Sequence, residues 1–323
     1  MKSNKEKTYI RQLLEVTGKN EAQQAPTGAS PTVIDTPKPI QKGGFANVAG
    51  MDELKLLVRN SFINVLNNPE CAKAYGITPP SMLFYGPPGC GKSFFAEQIS
   101  AEVNIGYMKI CAEDIASQYI HGTQQKIAEV FDKAEKSAPI ILFLDEFETM
   151  APTRTTDDRY HQNGETNEFL CRLNNASEKG VDVIAATNHP ESIDKAVLRS
   201  GRLSEIIYID MPDAKARESL FRLELSKLPV VTDINYVRLA ELTQGYNCSD
   251  IAYIVKVAAR QMFNASILEK DQPYKVITQS VLEESIARKS PSVSSRDLKE
   301  FERIRNEFSP KDKGCKPMTI GFH

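Results

Sequence analysis

The chain contains no tryptophan, and its six cysteines and four histidines are scattered. Cys71, Cys90, Cys111, Cys171, Cys248 and Cys315 never fall at C-x-x-C spacing, so they read as reduced thiols and not as zinc ligands or disulfides. His121, His161, His189 and His323 form no H-E-x-x-H pattern, which leaves a metalloprotease without support. Charge of one sign is also lacking: 42 acidic against 40 basic residues give a net charge of -2, too little to set up the basic field of a nucleic-acid binder. No apolar run approaches the length of a membrane span, and the opening MKSNKEKTYI has no apolar core of a secretion signal. These absences predict a soluble, intracellular and specifically cytoplasmic protein. Its 323 residues suffice for about two domains of ordinary size.

The most informative stretch is Met82 to Phe94, MLFYGPPGCGKSF. An apolar run enters Gly86-Pro87-Pro88-Gly89-Cys90-Gly91-Lys92-Ser93-Phe94, the G-x-x-x-x-G-K-[ST] phosphate loop. Glycines at 89 and 91 let successive N–H groups turn inward around phosphate oxygens where a Cβ would obstruct. Lys92 brings a point charge to the outer phosphates, and the Ser93 hydroxyl is a magnesium ligand. A helix beginning near Ser93 aims its positive dipole end at the same anion. The pattern implies a site for a nucleoside triphosphate with Mg2+.

Around this loop the organisation is α/β. Residues 1 to 44 divide into a possible short helix carrying Ile10, Leu13 and Leu14 and a Pro/Gly-rich linker that cannot bury enough apolar surface to order itself. From Phe45, a helical pattern over Asp52–Leu66 precedes five short apolar segments: Met82–Tyr85, Ile105–Ile110, Ile140–Leu144, Val181–Ala186 and Ile206–Ile209. Continuous apolar runs separated by amphipathic stretches predict a parallel sheet covered by helices on both faces. After Pro212 the strands stop, and 213–308 reads as a small all-helical domain, with 309–323 as a tail. The expected division is therefore 1–44, 45–212, 213–308 and 309–323.

Three further patterns carry chemistry. The strand IILFL ends in Asp145-Glu146. In a phosphate-loop fold the carboxyl end of that strand faces the nucleotide, so Asp145 is placed to hold magnesium, usually through water, and Glu146 to polarise the attacking water. VDVIAATN ends in Asn188, whose amide can bridge the γ-phosphate and that water, although Thr-Asn alone is an ordinary strand-ending turn. Arg199 and Arg202 then frame a Ser-Gly turn, each a permanently charged fork suited to phosphate oxygens.

With these residues in view, the chain from about Phe45 to Phe308 resembles the AAA ATPases, in the branch of valosin-containing protein, katanin and the proteasomal ATPases. FANVAGMDELK is similar to that family's opening FxDVGGLxELK, TNHPESIDKAVLRSGR to its second region of homology, TQGYNCSDIAYIVKVAA to its lid motif, and LEESIARKSPSVSSRDLKEF to its closing segment. The resemblance implies an α/β nucleotide domain with a helical lid, assembled with itself into a homo-oligomeric ring, commonly a hexamer. ATP would lie at the subunit interface, with Arg199 and Arg202 reaching the γ-phosphate held by the neighbour. Asn47, Val48 and Ala49, with Cys248 and Ser249 of the lid, would flank the adenine. Tyr119 and Ile120, in Ser117-Gln-Tyr-Ile-His-Gly122, align with the pore loop that grips a protein substrate, and Pro152–Gly164 is a candidate second pore loop.

The chain departs from the pattern at His121, where the family has glycine, and at Glu148, Asn47 and Cys248. A lid histidine of some members falls near Glu224, and the Asp-Gly-Phe element is not recognisable in Leu173–Gly180. None of these removes a residue needed for hydrolysis. The expected function is ATP hydrolysis by a ring that remodels, unfolds or disassembles protein substrates. A nucleotide-gated scaffold is the alternative, and a DNA-associated ATPase a distant one.

Overall fold

The computed structural model describes residues 43–115, 122–153, 162–198, 201–268 and 275–308, with no account of side chains 162–166. All of them fall in one compact unit, Ile34–His323.

Five parallel strands form the centre: β1 (Ser81–Tyr85), β2 (Gly106–Ile110), β3 (Ile140–Leu144), β4 (Val181–Thr187) and β5 (Leu203–Tyr208), in the spatial order β2-β3-β4-β1-β5. The uniformly apolar runs conceal a period of two. Leu83, Met108, Ile110, Leu142, Leu144, Val183 and Ala185 enter one core, while Met82, Phe84, Tyr107, Ile141, Phe143, Ile184 and Ala186 enter the other. Burial on both faces favours apolar residues along an inner strand, as the fully buried β3 shows; β4 is equally buried yet carries Asp182, whose pKa burial raises to about 7.

The helices covering those faces are α1 (Asp52–Val58), α2 (Lys92–Val103), α3 (Gly122–Lys136) and α4 (Gln162–Asn175). Phe95 and Ile99 of α2 lie in the core that also takes Phe45, Val58 and Phe62. Ile127 and Phe131 of α3 and Phe169 and Leu173 of α4 fill the opposite one. The helix expected over Asp52–Leu66 is not continuous: a π-type turn, Arg59–Ile63, follows α1, and helix resumes at Asn64–Asn67. The π-type turn carries the adjacent residues Phe62 and Ile63, both buried in the core.

Beyond Pro212 come α5 (Ala214–Leu225), α6 (Tyr236–Leu242), α7 (Cys248–Leu268), α8 (Gln279–Ala287) and α9 (Ser295–Phe308). Asp213 caps α5 by accepting the Ala216 N–H at 2.7 Å, and Asn235 caps α6 in the same way at Arg238. Phe221, Leu239, Ile251, Ile254, Leu282 and Ile286 share a separate helical core, and one isolated bridge, Val230 to Ile277, is the extended pairing there among the described residues. The final helix packs elsewhere. Phe301 and Ile304 of α9 join Tyr85 and Tyr208 at the β1–β5 side of the sheet, where Arg305 pairs with Asp210 at 3.4 Å.

Candidate active site

The strand order reverses beside β1, so the loop leaving its carboxyl end opens where such sheets bind ligands. Gly86 has φ +144°, and a Cβ there would come within 2.1 Å of the Ile209 carbonyl. Gly89 has φ +76°, and its Cβ would meet the Asn247 amide at 2.4 Å. The bare backbone at Gly89 thus also lets Asn247 of the helical region approach the loop.

Lys92 opens α2 and is nearly buried, at 8% exposure. Its ammonium donates to the carbonyls of Gly86 at 2.8 Å and Pro87 at 2.9 Å, folding back over its own loop. Burial pulls its pKa down to about 8, against the partial support of Cys90, Asp145 and Glu148. One residue on, the Ser93 hydroxyl donates to Asp145 Oδ2 at 3.0 Å, across 52 positions of sequence. A hydroxyl meeting a carboxylate oxygen is the hard-oxygen donor set that suits magnesium, which uses one or two carboxylates and completes its shell with water and substrate phosphates. Among the described residues no cluster of three or more His, Cys, Asp or Glu side chains forms a self-sufficient metal cage.

Asp145 and Glu146 follow β3 directly. Glu146 adopts φ +53°, rare for a side chain of its size, and leaves its carboxylate exposed. Asn188 follows β4, the strand lying between β1 and β3, so it stands between the phosphate loop and the carboxylates. Its Oδ1 is buried without a hydrogen-bond partner among the described residues, as is Glu148 Oε2. Arg202 is anchored within its own chain, donating to the Ala196 carbonyl at 2.6 Å and to Asn174 Oδ1 at 3.2 Å. Arg199, Tyr119 and Ile120 lie outside the described residues, as do 154–161 of the second candidate pore loop.

The expected adenine-flanking segments make separate contacts, one with α2 and the other with the loop itself. Asn47 donates to Gln98 of α2 at 3.1 Å, Val48 is buried with its carbonyl held by Lys55 at 2.7 Å, and Ala49 is half-buried. Phe45 stacks on Phe95 at 5.5 Å and fixes this segment to α2. From the helical region, the Asn247 amide donates to Pro88 O at 3.0 Å, the Ser249 N–H to Gly89 O at 3.1 Å, and the Cys248 thiol to Cys90 O at 3.6 Å. Burial pushes the Cys248 thiol up to about 12 and the Cys90 thiol higher still, so both remain protonated. Phe94 is 45% exposed on α2.

Two residues of this site escaped the motif reading. Asn247 was signalled only as a polar residue just before a helix, a common cap position. Lys109 on β2 pairs with Asp145 Oδ2 at 2.7 Å, and its signal was a lone charge within an otherwise apolar strand. Partial burial works against the Lys109 ammonium, but the hydrogen bond and charge of Asp145 outweigh it and hold its pKa above the ordinary lysine value.

A parallel sheet with this loop at a strand end, and a hydroxyl–carboxylate pair beside it, defines a phosphate-loop nucleoside triphosphatase. Residues 82–211 match the ATPase family associated with various cellular activities (AAA). A cell division cycle protein 48 homolog of Archaeoglobus fulgidus is 32% identical over 275 residues, covering 82% of this chain and 38% of that protein. The chain belongs to the AAA ATPase family and is similar to the branch of the Archaeoglobus protein. The chain spans well under half the length of the relative it matches. No described helix is long and apolar enough to cross a membrane.

Proposed function

We propose that this chain hydrolyses ATP as one subunit of a homo-oligomeric ring, six copies in the family's common arrangement, and that the cycle remodels or unfolds a protein substrate at a central pore. The observation that carries the reading is the 3.0 Å bond from Ser93 to Asp145, which couples the phosphate loop to the carboxylate strand. Residues 45–212 and 213–308 act as nucleotide domain and lid, flanked by 1–44 and 309–323.

In this reading the backbone from Gly86 to Gly91 cradles the phosphates, and Lys92 exchanges its loop carbonyls for phosphate oxygens. Ser93 and Asp145 hold the magnesium ion, which when bound neutralises charge between the outer phosphates. Glu146 accepts a proton from the water that attacks the γ-phosphorus. The Asn188 amide, beside an otherwise unpartnered Oδ1, orients that water. Arg199 and Arg202 of a neighbouring copy stabilise the charge on the transferring group, so turnover depends on association. The tether of Arg202 to Ala196 and Asn174 supports a preset reach. Tyr119 and Ile120 grip the substrate, a role that rests on the family resemblance.

The direct bonds from Asn247 and Ser249 to the loop favour a second reading, a nucleotide-gated scaffold, because occupancy would be transmitted to the helical region without threading. Glu146→Gln and Lys92→Ala test the chemistry: turnover falls by roughly a hundredfold or more in each, and intact turnover in either sinks the role assigned. Tyr119→Ala separates the readings. Lost substrate processing with ATPase retained supports the pore, whereas full function supports the scaffold.

A further inference from the structure

Lys109 stands on a strand whose other side chains at Tyr107, Met108 and Ile110 are buried in the two cores. It pairs in register with Phe143, two residues before Asp145, and the Asp145 N–H continues the ladder to Ile110 O at 2.9 Å. Its side chain therefore runs toward the carboxyl end of the sheet and ends 2.7 Å from Asp145 Oδ2, at 31% and 21% exposure for the two partners. The carboxylate has few lone pairs left. Oδ2 accepts both Lys109 and the Ser93 hydroxyl, and Oδ1 accepts the Glu146 N–H at 3.1 Å.

We propose that Lys109 is a positioning residue that competes with the divalent cation for Asp145 and so sets the concentration at which magnesium completes the nucleotide site. The inference rests on the reading of Asp145 as a metal carboxylate. A cation joining Ser93 to Asp145, directly or through its water, turns the Ser93 hydroxyl from a donor to Oδ2 into a ligand. The Lys109 ammonium shares that same oxygen, so it competes for the carboxylate's charge and repels the incoming cation. Lys109 thus keeps the carboxylate aimed at Ser93 when the cation is scarce and raises the threshold for loading it.

The test is direct metal binding by the full chain: Mn2+ titrated into protein saturated with ADP, with free Mn2+ counted by paramagnetic resonance. Lys109→Met lowers the half-saturating Mn2+ concentration on the order of tenfold, the scale of one charged hydrogen bond removed from a competitor. Lys109→Gln, which keeps a polar group without charge, shifts it in the same direction, and Lys109→Arg leaves it near the wild-type value. Asp145→Asn raises it and makes a second change at Lys109 silent. If Asp145→Asn moves the midpoint and neither neutral Lys109 variant does, the competition is wrong and the metal site stands. If no variant moves it, the assignment of Asp145 falls first and the competition with it.

Discussion

Asn247 holds the phosphate loop from the far side of the chain: its side-chain amide donates to Pro88 O at 3.0 Å across 159 positions, while its Oδ1 accepts the Asp250 N–H at 2.7 Å. Asp250 is itself nearly buried and bonded to Ser292 Oγ at 2.5 Å and Lys289 Nζ at 2.7 Å. Burial raises its pKa, but these donors outweigh burial and hold the carboxylate below its usual range. The loop from Gly86 to Ser93 is thereby wired to the segment that leads into α9.

Asn247→Ala should remove both bonds of that residue and destabilise the fold by about 1–2 kcal/mol, because the Asp250 N–H loses its cap at a buried site while Pro88 O, on an exposed residue, can turn to water. Asn247→Ser keeps a cap acceptor for the Asp250 N–H without adding charge but loses the amide donor to Pro88 O, so it should be intermediate in urea unfolding. Gly89→Ala costs about 1–2 kcal/mol for a side chain at φ +76°, plus the contact with Asn247. Made in the Asn247→Ala background it should cost less, and strict additivity in the double-mutant cycle would refute the steric link.

Lys92 makes stability depend on pH in a known direction. Its folded pKa of about 8 lies below the ordinary 10.5, so between these values the unfolded chain binds more protons and stability rises with pH. The penalty for burying the charge is full below pH 8, roughly 3 kcal/mol, and is lifted above 10.5. Lys92→Met lacks this dependence. The unfolding free energy of wild type minus that of Lys92→Met should therefore increase from pH 7 to pH 10, other titrations cancelling in the difference. A flat difference would show that the ammonium is not desolvated.

What the sequence made legible follows the range of the interaction involved. The β3 strand IILFL is read to the residue because it is buried on both faces and ends at two carboxylates. β5 was placed late, at Ile206, because on this edge strand the buried Leu203 is followed by the exposed Ser204 and the half-buried Glu205, which break the apolar run. The loop from Gly86 to Ser93 is a local pattern and needed no partner to be recognised. Lys109 was not legible, since only the β2–β3 register brings it to Asp145. Asn247 was missed for the same reason: its role exists only once the helical region is folded against the loop.

Glu146 offers a test of strain held at the reacting centre. Its φ of +53° costs about 1–2 kcal/mol for an L-residue. Glycine there relieves that strain but loses roughly 0.5–1 kcal/mol to the freedom it gains in the unfolded chain. Glu146→Gly should therefore be slightly more stable than Glu146→Ala, with a melting temperature higher by about 2 °C. Alanine keeps the strained φ, and both variants remove the like charge beside Asp145, so their difference isolates the backbone. Both should also lose turnover by about a hundredfold to ten-thousandfold, as expected for removal of a general base. Equal stability of the two would mean that the turn relaxes around alanine, and Glu146 would then owe its geometry to its side chain and not to the chain ends that grip it.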